Sequence, residues 1–305
     1  MTSTSKSSLF QRPAWVVILA LTAATAWGWA YPLIKLGFAE FGITQSMTGS
    51  KMLFAGIRFC IAGLIILALA ACTKRPFRPT RPVDWGYITL FALLNTTLHY
   101  TCFYIGLSYS EGARAAILNS LGTFLLVLLA CLCFKTDRLT LRKILGCVIG
   151  IGGILILNVG NTTSGTFTLM GDGMIILNAL CSAFAGLMTR GLSHRINVFV
   201  GTGYSLAIGG VLLILPALAM GGTLPHITPT GLLFLTLLVS ISALGFALYN
   251  KLLSCNPVGK VAIFNSLIPV VGTITSCLCL DEPFHTKYIA AALLAMTGIY
   301  VINKS

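Results

Sequence analysis

The sequence predicts an all-α integral membrane protein, and three observations lead to that prediction. The 305 residues are 56% hydrophobic and only 9% charged, whereas a water-soluble domain needs far more charge to cover its surface. The Lys and Arg residues gather in short gaps between long apolar stretches. Since a spanning helix needs roughly 20 apolar residues, the chain has room for about ten of them and for no soluble catalytic domain.

Ten apolar windows can be placed along the chain as transmembrane helices. The first window is too long for the hydrophobic region of a signal peptide, and it ends at Tyr31-Pro32 rather than at a small-residue cleavage site. We therefore expect it to remain as a helix. The predicted helices cover residues 14–34, 52–72, 84–107, 112–134, 141–158, 173–190, 198–220, 230–252, 258–280 and 286–302.

The distribution of basic residues predicts that both termini lie in the cytoplasm, because cytoplasmic loops carry the excess of Lys and Arg. The cytoplasmic set is Lys6, Arg12, Lys74, Arg75, Arg78, Arg81, Lys135, Arg138, Arg142, Lys143, Arg190, Arg195, Lys251, Lys260 and Lys304. The smaller outer set is Lys35, Lys51, Arg114 and Lys287. We expect a multi-pass protein of the cell membrane, whose net charge of +13 reflects orientation and anionic lipid, not nucleic acid.

The second half of the chain repeats the first half at a constant offset of 146 residues, which aligns residues 107–121 with residues 253–267. The match continues through a Cys-x-Cys pair, a threonine and a glycine at the same offset. Five helices therefore repeat five helices, and an odd number makes the second copy enter the membrane from the opposite side. We predict an inverted repeat, with five-helix units at 14–158 and 173–303 and a substrate site near mid-membrane between them.

Several short motifs accompany this five-plus-five architecture. They are Trp27-Gly28, Lys35, Arg58-Phe59, Tyr104-x-Gly106-Leu107 followed by Ala115-Ala116, Pro269, and Asp281-Glu282. Together they resemble the drug/metabolite transporter superfamily, EamA type. The first half departs from the family pattern, because Gly122-Thr123 replaces a proline and the acidic residue after that helix is only Asp137. The resemblance implies a carrier of amino acids or other metabolites, and its motifs are specific for the fold more than for the cargo.

A transport pathway needs polar or aromatic side chains inside the membrane, where polar atoms that face lipid are costly. We expect substrate contact from Trp27, Tyr31, Arg58, Asn95, His99, Asn119, Asn178, Tyr204 and Asn265. Pro269, which removes a backbone hydrogen bond from the ninth helix, is a candidate hinge or a static bend.

For most of these residues a structural role is an open alternative. Arg58, predicted about six residues inside its helix, could attract a substrate carboxylate, or instead reach the interface or loop carbonyls. His99 could make transport sensitive to pH, or simply pack against a neighbouring helix. The repeat-related Asn119 and Asn265 could contact substrate or bridge helices.

The acidic residues fall at predicted helix ends or in loops, so the sequence offers no mid-membrane carboxylate for ion coupling. It also has no phosphate-binding loop for ATP, and we expect no cofactor, no metal site and no enzymatic activity. We predict a secondary transporter that exports small organic metabolites, such as amino acids or related amphipathic solutes, by alternating access. The alternatives are a multidrug or lipophilic-cation efflux carrier, an intramembrane enzyme and a channel.

Oligomeric state stays open at this point. Gly146 and Gly150 are spaced four residues apart in the fifth predicted helix, a spacing that allows another helix to approach closely. The approaching helix could belong to the same chain or to a second copy in a homodimer.

Overall fold

A computed structural model describes residues 9–132, 139–156, 167–256, 261 and 263–303. Apart from short connections and a 3₁₀ turn before the first helix, these residues are helical. The helices are α1 Pro13–Glu40, α2 Thr48–Cys72, α3 Asp84–Tyr109, α4 Gly112–Cys131, α5 Leu141–Ile156, α6 Leu169–Ser193, α7 Val198–Ala219, α8 Pro229–Cys255, α9 Phe264–Cys279 and α10 Thr286–Asn303.

Seven of these helices, α1–α4 and α6–α8, are long and apolar enough to cross a bilayer. The helices α9 and α10 are apolar but shorter, and α5 and α9 border residues that the structure does not describe. The all-helical, multi-pass character of the chain is thereby supported, and the count of ten spans stays a prediction. Five of the basic residues used for orientation, together with Asp137, lie outside the described residues: Lys6, Lys135, Arg138, Lys260 and Lys304.

Several helices extend beyond the apolar windows that predicted them. The first helix continues through Pro32 to Glu40, and the second begins at Thr48 rather than at residue 52. As a result, Lys35 lies inside α1 rather than in a loop. Arg58 is about ten residues, or roughly 15 Å, from the start of α2. It therefore lies deeper in the helix than the sequence indicated.

Most helix packing joins one half of the chain to the other. Helix α2 lies against α7, α5 against α10, and α4 against α9; α1 contacts α8 and α9, while α6 contacts α3 and α4. Helix α2 also contacts α8, and α7 also contacts α3. Each helix of the first half can be paired with the helix five places later in the chain, α1 with α6, α2 with α7 and so on. If the two members of every pair are exchanged, the same set of contacts results.

Small residues allow the close approach of α5 and α10. A Cβ atom added to Gly146 would lie 2.6 Å from the carbonyl oxygen of Gly298, and one added to Gly298 would lie 2.8 Å from the Cα atom of Gly150. The glycine pair singled out in the sequence therefore packs within the chain. Backbone contact of this kind is typical of helix interfaces in membranes.

The helices α4 and α9 are interrupted at matching positions. In α4 the break is at Ser120, whose amide bonds to the carbonyl of Ile117 in a 3₁₀-type turn. In α9 a 3₁₀ turn at Ile263–Ser266 precedes the α-helix, and Pro269 follows in the first α-helical turn, where its missing N–H is tolerated. Ser120 and Ser266 are partners at the 146-residue offset, so the first half breaks at the same place without the proline.

Candidate functional site

A cavity of about 160 Å³ lies between helices of both halves. A buried water needs about 10–15 Å³ on the same measure, so the space suits a small organic solute. Seven of the nine predicted contact residues and the predicted hinge line this cavity. They are Trp27, Tyr31, Arg58, Asn95, His99, Asn119, Asn265 and Pro269.

Arg58 is the charged side chain among the described residues that line the cavity. It is 2% exposed, so it does not reach the membrane interface. Its Nε atom donates to the carbonyl of Leu238 (3.1 Å) and to Oγ of Ser242 (2.7 Å), and Nη1 donates to the hydroxyl of Tyr104 (2.9 Å). These acceptors belong to α8 and α3, and all of them are neutral.

No carboxylate pairs with Arg58 among the described residues, and its Nη2 atom has no hydrogen-bond partner there. Burying an unpaired charge is costly, and three neutral hydrogen bonds offset only part of that cost. The guanidinium therefore presents unmatched positive charge, and a free donor, beside the cavity.

The two repeat-related asparagines each bond to a tyrosine at the cavity. Nδ2 of Asn119 donates to the hydroxyl of Tyr31 (2.9 Å), and Nδ2 of Asn265 donates to the hydroxyl of Tyr249 (2.7 Å). Asn178 does not line the cavity; it is fully buried and donates to Oδ1 of Asn119 (2.6 Å). Oδ1 of Asn265 has no partner among the described residues. The asparagine–tyrosine pair is thus present in both halves. The side-chain oxygen of the asparagine has a hydrogen-bond partner among the described residues in the first half only.

A π-helical segment, Leu93–Leu98, interrupts α3 beside the cavity. Such segments insert one extra residue into a helix and often occur at functional sites. It contains Asn95, whose Nδ2 donates to Oγ of Ser205 (3.2 Å), and it ends directly before His99. The Nδ1 atom of His99 is buried without a partner among the described residues, and its ring contacts Tyr100.

Aromatic rings form much of the remaining wall. Trp27 contacts Phe246 and Tyr249 edge to face, at centroid distances of 5.4 and 5.0 Å. Its Nε1 atom is buried without a partner among the described residues, and a Cβ atom at Gly245 would lie 2.5 Å from it. A glycine at that position is what allows α8 to pack against the indole. The rings of Tyr100 and Phe103 also line the cavity.

Tyr204, for which the sequence predicts substrate contact, lies away from the cavity. It packs against Trp85 (4.9 Å between ring centroids) and Phe77 (6.4 Å) in a separate apolar cluster. Tyr249 and Asn250 also line the cavity, although neither is among the contact residues predicted from the sequence. A signal was present, because the 146-residue offset aligns them with Phe103 and Tyr104.

Acidic side chains are placed at the ends of the helices. Glu40 ends α1, Asp84 begins α3, Glu111 precedes α4 and Asp172 lies in the first turn of α6. The described residues that line the cavity include no carboxylate. In the described part of the chain, no group of three or more His, Cys, Asp or Glu residues is arranged to hold a metal ion.

A model of the EamA-like transporter family matches residues 14–159 and matches again at residues 169–304. The chain belongs to the EamA-like transporter family. The resemblance seen in the motifs is thereby confirmed, and with it membership of the drug/metabolite transporter superfamily. Because these transporters cross the membrane repeatedly, the apolar helices identify a multi-pass membrane protein.

Relatives align along almost the whole chain. The uncharacterized transporter YvbV of Bacillus subtilis (strain 168) is 28% identical over 287 residues, which cover 91% of this chain and 88% of the relative. A probable amino-acid metabolite efflux pump of Escherichia coli (strain K12) is 24% identical and covers 93% of both chains. One crystal structure shares the fold, with a TM-score of 0.70 over 94% of this chain and 16% sequence identity.

Proposed function

We propose that this EamA-like transporter is a secondary carrier for small organic metabolites that bear a carboxylate, such as amino acids or related amphipathic solutes. It exports them across the cytoplasmic membrane by alternating access around the cavity. The carboxylate binds Arg58, and the apolar part of the solute packs against the rings of Tyr100, Phe103 and Phe246.

The observation that carries this proposal is the buried charge of Arg58, which has no counter-ion in the described part of the chain. A solute carboxylate would supply the missing charge and accept a hydrogen bond from Nη2. The same charge repels a lipophilic cation, and the lining residues that the structure describes offer no carboxylate to attract one. The cavity therefore favours an anionic or zwitterionic solute over the cations of a multidrug efflux carrier.

Alternating access requires two halves that can rearrange around the cavity, and we propose that they form an inverted repeat of five helices each. Three observations support this layout: the constant offset in sequence, the two matches of the family model, and helix contacts that are reproduced when the halves are exchanged. Both termini lie in the cytoplasm in this proposal, as the basic residues predict. Export agrees with the name of the Escherichia coli relative.

The test is counterflow in liposomes. Purified protein is reconstituted into vesicles preloaded with unlabelled amino acids or other carboxylates, and uptake of the labelled solute is followed; a thermal-shift screen of metabolites selects the solutes. A carrier gives saturable uptake that depends on the solute inside. Conductance that does not saturate would indicate a channel, and chemical conversion of the solute would indicate an enzyme.

Arg58→Gln and Arg58→Lys probe the site itself. A hydrogen bond to a charged group contributes about 1.5–3 kcal/mol, so we expect the KM for a carboxylate to rise about ten- to a hundredfold in Arg58→Gln. Arg58→Lys keeps the charge but lacks the planar arrangement of donors, so its KM should lie between those of the native protein and Arg58→Gln. Arg78→Gln, in an exposed loop position, is the matched control. Equal KM values for the Arg58→Gln and Arg78→Gln proteins would refute the role of Arg58.

A further inference from the structure

Three acidic residues tie helices together at one end of the bundle, and we call Glu111, Asp172 and Glu282 the acidic latch. Oε1 of Glu282 accepts a hydrogen bond from Nζ of Lys35 on α1 (2.8 Å) and from the amide of Gly112 (2.7 Å). Its Oε2 atom accepts from the amide of Ala113 (3.0 Å). One carboxylate from the segment between α9 and α10 therefore holds α1 and the start of α4, which both belong to the other half.

A second ion pair crosses the halves at the same end. Arg114 on α4 binds Asp172 on α6 with two parallel hydrogen bonds of 2.8 Å, and both side chains are almost fully buried. The hydroxyl of Tyr288, on α10, donates to Glu111 directly before α4. The first turn of α4 is therefore held by charged or polar contacts to three elements of the second half.

The latch lies over one end of the cavity. Ala116, one helical turn beyond Gly112, already lines the cavity, so the start of α4 separates the cavity from the latch. Toward the opposite end, the lining extends to Leu253, near the end of α8, and to Asn265, near the start of α9. The cavity thus extends away from the latch.

At the opposite end, an ion pair between Arg195, which follows α6, and Asp84 on α3 (3.3 Å) also joins the two halves, but the 146-residue offset does not repeat the residues of the latch there. At the 146-residue offset, Pro257 aligns with Glu111, Lys260 with Arg114, and Thr136 with Glu282. These three positions lie outside the described residues. They contain no carboxylate, and the nearest one, Asp137, is displaced by one position.

We propose that the acidic latch regulates access to the cavity, closing it at the latch end and biasing the carrier toward the conformation that faces the other side. This inference rests on the proposed function, because it presupposes alternating access. Opening toward the latch end requires Glu282 to release Lys35 and the amides of α4, and Asp172 to release Arg114. With the predicted orientation, the latch faces outward and the resting cavity faces the cytoplasm.

Amide hydrogen exchange in proteoliposomes, measured by mass spectrometry, tests the proposal. In Glu282→Gln, exchange at residues 112–119 should become faster and exchange at residues 246–255 slower, each by about tenfold, as expected when one charge-assisted hydrogen bond is lost. Asp281→Asn is the matched control, because Asp281 is adjacent but exposed, and it should change neither segment. Lys35→Gln breaks the same contact from a half-exposed position and serves if Glu282→Gln does not fold.

The reciprocal change is the decisive result. Faster exchange at residues 112–119 alone would show that Glu282 merely caps a helix, and it would overturn the proposal, as would no change at either segment. Counterflow by the native protein is measured in the same vesicles. Its absence would contradict the proposed function, whereas normal counterflow without the reciprocal change would contradict only the latch.

Discussion

Helix α5 offers a sharp test of the packing, because it carries two glycines in opposite environments. A Cβ atom at Gly146 would lie 2.6 Å from the carbonyl oxygen of Gly298 and 3.0 Å from the amide of Ile302, whereas one at Gly152 would meet nothing within 4 Å. Backbone atoms of α10 cannot move aside as a flexible side chain can. Gly146→Ala should therefore force α5 and α10 apart, and Gly152→Ala should not.

The expected magnitude follows from two opposing terms. Overpacking costs about 1–3 kcal/mol, while alanine is favoured over glycine inside a helix by about 1 kcal/mol. Gly146→Ala should then lose up to about 2 kcal/mol of unfolding free energy, and Gly152→Ala should gain up to about 1 kcal/mol. The difference between the two variants isolates the cost of the contact with Gly298.

Unfolding of both variants in detergent micelles, followed by tryptophan fluorescence against denaturant, measures this difference. Equal stability of the two proteins would refute the packing of α5 on α10. The same pair tests for a homodimer, because a second copy seated on the Gly152 face would make Gly152→Ala weaken the dimer. Molecular mass by light scattering distinguishes that outcome from a change in folding.

Three further predictions concern the cavity. Ser242→Ala and Tyr104→Phe each remove one hydrogen-bond acceptor from Arg58 without changing the charge. We therefore expect the KM for the solute to rise several-fold in counterflow while kcat is retained. Unchanged KM values would show that these two hydrogen bonds do not position Arg58. His99→Ala should alter the pH dependence of transport, because His99 is the titratable imidazole among the described lining residues; an unchanged profile in a folded variant would exclude that role. Tyr249→Phe should release Asn265 and change solute selectivity in competition assays, and identical selectivity would oppose a role in recognition.

Much of the fold follows from the sequence, because hydropathy and the constant offset both depend on local composition. Hydropathy cannot locate helix ends, since it registers apolar side chains and not the polar residues that continue a helix. Lys35 and Lys51 were therefore expected in loops, although both lie in helices, and Lys51 is fully buried with its Nζ bonded to the carbonyl of Gln45. The π-helical turn before His99 likewise has no signal in composition.

The cavity was only partly predictable, for a similar reason. A polar residue in an apolar helix indicates a buried environment but not which neighbour it faces. Asn119 and Tyr204 were both candidates from the sequence, but Asn119 lines the cavity and Tyr204 packs against Trp85. The position of Tyr204 depends on the rotation of α7 against α2, and glycines bring these two helices close together: a Cβ atom added to Gly210 would lie 2.8 Å from the carbonyl oxygen of Gly56.

The proposed repeat also clarifies why the charge of Arg58 matters. Arg58 on α2 bonds to Ser242 on α8, and the corresponding contact between α7 and α3 joins Ser205, one position beyond the 146-residue partner of Arg58, to Thr96 (3.4 Å). Thr96 is the partner of Ser242 at the 146-residue offset, so a frame that exchanges its halves carries a positive charge in the first half and a neutral hydroxyl in the second. A solute carboxylate, as we propose, would therefore bind on one preferred side of an otherwise similar cavity. In the proposed mechanism, the frame accounts for alternation between two conformations, and Arg58 accounts for binding of the solute in one orientation.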